Sequence, residues 1–212
     1  MNSNQVYSEF TWATDGPANG RSGEGLADSI VELVSRTDGI ETICDLGCGN
    51  GYITTRLASL GYAITGVDLS QSGLEIARAS NGNARYIEAS IDARLVSRLG
   101  NAFDLVLSSD VIEHLYRPSD LLEAAHSLLK PDGRLIVTTP YHGYVKNLVL
   151  AISGKMDAHF SALHDGGHIK FFSINTLSQL MESYGFTGLN FTFYGRAPWL
   201  WKNMICSARK AD

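Results

Sequence analysis

Residues 43–51 read ICDLGCGNG, an apolar run of Ile43, Cys44 and Leu46 around Asp45, followed by glycines at 47, 49 and 51. Apolar residues in succession suit a strand buried on both faces. The glycines let the backbone turn sharply and approach a ligand where a Cβ would obstruct it. A helix is expected from Tyr52, and its first N–H groups, which lack partners inside the helix, point toward whatever the turn holds. The next apolar run, residues 63–67, ends in Asp68, 21 residues beyond Gly47. A carboxylate there can accept hydrogen bonds from both hydroxyls of a ribose, so the segment predicts a cradle for a nucleotide-containing cofactor.

The dinucleotide pattern G-x-G-x-x-G needs a glycine at position 52, where Tyr52 stands. The pattern present instead, G-x-G-x-G led by Asp45, resembles motif I of the class I S-adenosylmethionine-dependent methyltransferases, and VDLS at 67–70 resembles their second motif. Three further stretches resemble the family in order: FDLVLSSDVIEHL (103–115) its fourth strand and the helix after it, LLKPDGRLIVTTP (128–140) its fifth strand, and FFSINTLSQLMESYGF (171–186) the helix before strand six. The resemblance runs from about Ile40 to the C-terminus and points to the small-molecule branch that includes ubiquinone-biosynthesis O-methyltransferases. It implies an α/β, Rossmann-like doubly wound sheet of seven strands in the order 3-2-1-4-5-7-6, the last strand antiparallel, with S-adenosyl-L-methionine as cofactor.

In such a sheet the ligand lies beyond the carboxyl ends of the strands, where the winding reverses between strands one and four. Gly47, Cys48 and Gly49 are then expected to face the methionine part through their backbone, Asp68 to hold the ribose, and Leu69 to lie against the adenine. The resemblance adds Ser90 and Ile91 at the adenine edge and Ser108 as a backbone contact to the methionine moiety; Ile91 reads equally well as core. Asp45 reads as a residue that orients loop amides, and the Cys48 thiol is assigned no chemistry.

The coarse map begins with a helix over residues 25–36, whose Leu26, Ile30, Leu33 and Val34 recur at helical spacing. Strands are predicted over 42–46, 63–67, 84–88, 105–108 and 134–139, and a helix over 118–129. PDG at 131–133 is read as a turn into strand five, and a final antiparallel pair is expected near 188–194 and 202–209. The whole chain, 1–212, is read as one domain, with residues 1–24 an N-terminal cover carrying Tyr7, Phe10, Trp12 and Arg21, and 141–170 an irregular insert that forms an acceptor lid.

The bulk properties agree with one enzyme domain. Its 212 residues suffice for a sizeable core. A net charge of -5 without any run of Lys or Arg argues against nucleic acid as partner. Three cysteines, an odd number without a C-x-x-C pair, favour reduced thiols, and no stretch approaches the roughly 18 apolar residues of a membrane span. With no basic segment and apolar core at residues 1–10, a cytoplasmic protein is expected.

Methyl transfer from a sulfonium is an in-line displacement, so the protein's main task is positioning. An oxygen acceptor also has to lose its proton, which calls for a base near the transfer line. Glu113 and His114 are expected to open the helix after strand four, facing the cleft, which makes His114 a candidate base. The insert concentrates Tyr141, His142, Tyr144, His159, Phe160, His164 and His168, four of the six histidines. Its aromatic residues suit stacking on a planar phenol, quinone or quinolone-like acceptor, with Tyr141, His142, Tyr144 and His164 as binding residues and His168 or His142 as further candidate bases. His164 and His168 have helical ligand spacing, but Gly166 and Gly167 interrupt it and nothing completes a closed zinc site, so no metal is assigned. Glu113 keeps open a divalent ion of the kind a ubiquinone-type enzyme can use.

SSDV at 108–111 replaces the (N/D)PP(Y/F) tetrapeptide of amino-methylating enzymes. The function expected is therefore methylation of a small molecule, on oxygen in preference to nitrogen or carbon. A nicotinamide-dependent oxidoreductase and a silent cofactor-binding module are the rivals; the first lacks both the third glycine and a Tyr-x-x-x-Lys set. The acceptor and the oligomeric state stay open.

Overall fold

In a computed structural model of the protein, residues 11–12, 24–80, 82–92, 94–160, 163 and 166–211 are described. The elements run α1 (Glu24–Ser35), β1 (Thr42–Leu46), α2 (Tyr52–Ser59), β2 (Ala63–Asp68), α3 (Gln71–Ala79), β3 (Arg85–Glu88), α4 (Leu95–Leu99), β4 (Phe103–Ser109), α5 (Pro118–Leu128), β5 (Leu129–Pro140), α6 (Tyr144–Ile152), α7 (Met156–Phe160), α8 (Ile174–Ser183), β6 (Phe186–Tyr194) and β7 (Asn203–Lys210). All seven strands form one sheet, β3-β2-β1-β4-β5-β7-β6, in which β7 pairs antiparallel with both neighbours. This is the order and the direction that the family resemblance implies.

Both faces of the sheet are covered, and side chains two residues apart share a face. Ile43, Leu105, Leu107, Ile136 and Ile205 pack on one side with Ile30 and Val34 of α1 and Leu57 of α2. Cys44, Leu46, Val106, Val137 and Cys206 pack on the other with Leu121, Ala125 and Leu128 of α5 and with Leu177 and Met181 of α8. Local chemistry sets the helix starts. Ser70 Oγ accepts from Gly73 N (3.2 Å) at α3, and Ser173 with Thr176 forms a reciprocal capping box at α8. By contrast α2 begins at Gly51 without a side-chain cap, leaving its first amides to the loop.

Three expectations are corrected. The insert at 141–170 is not irregular throughout, for it contains α6 and α7. Strand five begins at Leu129, so PDG lies within the strand; Asp132 at φ 59° makes a turn there, and the pairing with β4 shifts register between Phe103 and Leu105. Glu113 and His114 sit on a 3-10 turn, Ile112–His114, and the α-helix starts only at Pro118.

α6 is turned inside out. Val145, Leu148, Val149 and Ile152, spaced i, i+3, i+4 and i+7, face solvent, while Lys146 and Leu150 are buried. Among the described residues no helix is long and apolar enough to cross a membrane.

Candidate active site

The loop after β1 holds left-handed backbone at Gly47 (φ 78°), Gly49 (53°) and Gly51 (77°). Space as well as conformation requires glycine at all three, a Cβ on Gly51 lying 2.7 Å from Ala77 Cβ. A Cβ on Gly47 would lie 2.4 Å from Val111 Cγ2, and one on Gly49 would lie 2.5 Å from the Trp12 ring. Gly47 N and Cys48 N both donate to Val67 O, at 2.7 and 3.1 Å. Beside them Asp68 accepts from Gly49 N through Oδ2 and from Ser70 N through Oδ1, each at 2.7 Å. Burial raises the pKa of Asp68 while the Ser70, Gly49 and Leu69 amides lower it, with a net rise. A carboxylate has about four lone-pair directions, so the three amides leave room for a ribose hydroxyl.

Asp45 is buried and accepts from Thr54 Oγ1 at 2.6 Å, which ties β1 to α2. Burial pushes its pKa up to about 7, with Thr54 opposing and the charge of Asp68 reinforcing. The Cys48 thiol turns back onto the sheet, since Sγ lies 2.8 Å from the position of a Cβ on Gly66. Burial raises its pKa well above the ordinary value, in keeping with a side chain that has no chemical role.

A groove of about 410 Å³ opens beyond β2 and β3, lined by Leu69, Glu88, Ala89, Ser90, Asp92 and Arg98. Leu69 is exposed there, while Ile91 packs against the core cluster. Ser108 is fully buried, and its Oγ donates to Leu46 O at 2.9 Å, joining the ends of β4 and β1 where the winding reverses. Trp12 N donates to Ser72 Oγ at 3.1 Å, so the indole lies over Gly49 and Gly73. Tyr7, Phe10 and Arg21 of the expected N-terminal cover, and His164 of the lid, lie outside the described residues.

Asp110, at φ 53°, turns the chain after β4, a conformation Asp tolerates better than most residues. Its Oδ1 accepts from Thr138 Oγ1 and from Asn203 Nδ2, each at 2.9 Å. Glu113 comes next on the turn, fully buried. Its Oε2 accepts from Thr139 Oγ1 at 2.9 Å, while Oε1 has no hydrogen-bond partner among the described residues and lies 3.9 Å from His168 Nε2. Burial, then the charge of Asp110, holds its pKa well above the carboxylate range. The Glu113 carbonyl accepts from Ile169 N and Lys170 N, which pins the end of the 141–170 segment to this turn. His114 Nδ1 is 3.0 Å from Gly166 O, and the His114 and His168 rings meet nearly at right angles with centroids 4.8 Å apart. One ligand atom from each of Glu113, His114 and His168 lies within 4.8 Å of the other two, so the three can hold a divalent ion as well as move a proton.

The rest of the 141–170 segment divides. Tyr141 is buried edge-on against Phe193 and Trp201, and Tyr144 is 81% exposed on the outer side of α6. His142 is buried against Phe160, His159 and Phe171, with centroids 5.8, 5.4 and 5.0 Å away. Burial, then the charge of Lys146, lowers its pKa to about 4. A base of that strength is free at pH 7 but weak. Sequence reasoning does not single out Asp110, Thr138, Thr139 and Asn203, which brace the turn, or Lys146. The one signal available for Asp110 is its place two residues after the strand-end Ser108 in SSDV.

A family model described as "Methyltransferase domain" matches residues 19–190, most of the chain. The chain belongs to the class I S-adenosylmethionine-dependent methyltransferases. Its curated relatives include the mitochondrial ubiquinone biosynthesis O-methyltransferase of Schizosaccharomyces pombe, 36% identical over 104 residues, which are 46% of this chain and 37% of that enzyme. The ubiquinone biosynthesis O-methyltransferase of Ruegeria sp. is 30% identical over 164 residues, 76% of this chain and 66% of that protein. The chain thus spans between about a third and two thirds of the length of these relatives. Among solved structures, a SAM-dependent methyltransferase from Archaeoglobus fulgidus superposes with a TM-score of 0.68 at 16% identity, covering 88% of this chain and 94% of that one. Magnesium protoporphyrin IX methyltransferase from Synechocystis PCC 6803 with bound SAM gives 0.62 at 19% identity, covering 88% and 79%. At such identities the likeness is one of fold. The family's cofactor is S-adenosylmethionine, and the glycines whose Cβ positions are filled by Val111 and Trp12, together with Asp68, fit it.

Proposed function

We propose that the chain transfers a methyl group from S-adenosylmethionine to a hydroxyl oxygen of a small aromatic molecule, with His168 as the base and Glu113 as its partner. The observation that carries this reading is the contact between Val111 and Gly47. It sets the turn bearing Glu113 and His114 directly on the cofactor loop, and His168 reaches the same turn from the lid. The relatives that are ubiquinone biosynthesis O-methyltransferases support oxygen as the acceptor atom.

When bound, the cofactor supplies an electrophilic methyl group. Gly47, Cys48 and Gly49 hold its methionine part, Asp68 its ribose, and Leu69 and Ser90 flank its adenine. His168 takes the acceptor's hydroxyl proton as the oxygen attacks, with the buried carboxyl of Glu113 beside it, 3.9 Å from Nε2. The low-pKa His142 walls the acceptor site rather than accepting the proton. A second reading rests on the close approach of Glu113, His114 and His168: a divalent ion held there would lower the pKa of the acceptor hydroxyl directly. Phenols, quinones, quinolones and amines assayed with labelled methyl donor test the proposal. Transfer to an oxygen of a phenolic acceptor is expected, and transfer to amines alone refutes it. Full activity after exhaustive chelation sets aside the divalent-ion reading.

A further inference from the structure

Trp12 is half-buried and stands outside both apolar clusters of the core. Its indole meets glycine backbone instead. A Cβ on Gly49 would lie 2.5 Å from the indole Cζ2, and one on Gly73 would lie 2.9 Å from its Cδ1. Gly73 stands in the first turn of α3, where glycine costs about 1 kcal/mol relative to alanine. That same Cβ would also lie 2.9 Å from Gly49 O, so the approach of the two loops and the seat of the indole both need glycine at this position.

These contacts close a circuit through Asp68. Its Oδ2 takes Gly49 N and its Oδ1 takes Ser70 N, each at 2.7 Å. Ser70 Oγ lies 3.1 Å from Ser72 Oγ, which accepts from Trp12 N at 3.1 Å, and the indole of Trp12 returns to Gly49. Gly49 belongs to the loop between β1 and α2, and Ser70, Ser72 and Gly73 to the junction of β2 with α3. Trp12 thus ties together the two chain segments that Asp68 also joins. A tryptophan does this at low entropic cost, since its large flat ring has only two side-chain torsions. The groove beyond β2 and β3 is lined by Leu69, Glu88 and Ser90 rather than by Trp12, so the clamp bears on the glycine loop and not on the place of the adenine.

We propose that Trp12 is a positioning residue for S-adenosylmethionine, a clamp that fixes the tip of the glycine loop against the start of α3 before the cofactor arrives and so tightens the hold on its amino-acid part. This rests on the methyltransferase reading above and adds to it a residue outside the glycine and acid motifs. Order already present in the free protein does not have to be imposed at binding, and affinity rises accordingly.

The test is calorimetric titration of the full chain and its variants with S-adenosylhomocysteine and with 5′-methylthioadenosine, which keeps the nucleoside and lacks the amino-acid part. Trp12→Ala is expected to weaken S-adenosylhomocysteine binding at least about 10-fold and 5′-methylthioadenosine binding less than about 3-fold. Trp12→Phe, which keeps a ring over the glycines, is expected to stay within about 3-fold of wild type. Ser72→Ala, which removes the acceptor of Trp12 N, is expected to give a smaller loss of the same selectivity. Unchanged S-adenosylhomocysteine affinity in Trp12→Ala, equal losses for the two ligands, or a Trp12→Phe variant as weak as Trp12→Ala overturns the proposal. A lowered unfolding midpoint with affinity kept marks a packing role and overturns it too. Failure of the wild type to bind S-adenosylhomocysteine registers separately, as failure of the methyltransferase reading.

Discussion

Asp68 Oδ2 receives the Gly49 amide at 2.7 Å, so the acid at the end of β2 and the tip of the glycine loop are one rigid unit before any ligand arrives. The same carboxylate is thus expected to fix the loop and grip the ribose. Charge-assisted hydrogen bonds are worth about 1.5–3 kcal/mol each. Asp68→Asn should therefore weaken cofactor binding by about 10- to 100-fold in a calorimetric titration, with circular dichroism unchanged. Wild-type affinity in the variant would remove Asp68 from the site.

Gly47 and Gly39 share nearly the same positive φ, 78° and 77°, but only Gly47 has a neighbour where a Cβ would go. Gly39→Ala should lose only the left-handed penalty, about 1–2 kcal/mol by thermal unfolding. Gly47→Ala adds a collision with Val111 and should lose more, together with cofactor binding. Equal losses for the two would mean that the Val111 contact carries no strain.

Asp45 keeps its proton in the fold up to about pH 7, against 3.8 as the ordinary value. The folded state then binds more protons at Asp45 than the unfolded state between those limits, so the contribution of Asp45 to stability is fully present below about pH 4 and is lost as pH rises toward 7. A difference of that size corresponds to an upper limit of about 4 kcal/mol. Asp45→Asn retains an acceptor for Thr54 and should flatten that decline in urea unfolding measured at about pH 4.5 and about pH 7.5. A slope identical to wild type would show that Asp45 does not titrate in this range.

Loss of a general base costs about 10²- to 10⁴-fold in rate. His168→Ala should lower kcat by that order on a phenolic acceptor and leave the cofactor dissociation constant unchanged, since the ring touches His114 and Glu113 rather than the loop. If His114→Ala has the larger effect on kcat, the roles of the two rings are exchanged. If neither variant slows turnover, the acceptor needs no histidine base.

The site is legible along the chain where its chemistry is local. The glycine turn, Asp45 and Asp68 lie on two adjacent parallel strands and the loop between the first strand and its helix, so spacing alone places them. The pairing of Glu113 with His168 is hidden, because it depends on the 141–170 segment folding back to hydrogen-bond the Glu113 carbonyl through Ile169 and Lys170. α6 escapes the sequence reading although Val145, Leu148, Val149 and Ile152 have helical spacing; the tyrosine, histidines and glycines around it read as loop, and its apolar stripe faces the wrong way for a core helix. The early start of β5 is masked by PDG, whose turn at Asp132 is absorbed inside the strand ladder.

The most direct measurement is a crystal structure of the protein with S-adenosylhomocysteine. A ribose hydroxyl is expected within about 2.6–3.2 Å of Asp68, with the amino-acid part against residues 47–49 and the sulfur facing the cleft that holds His114 and His168. An empty loop, or a ligand that bypasses Asp68, would contradict the assignment.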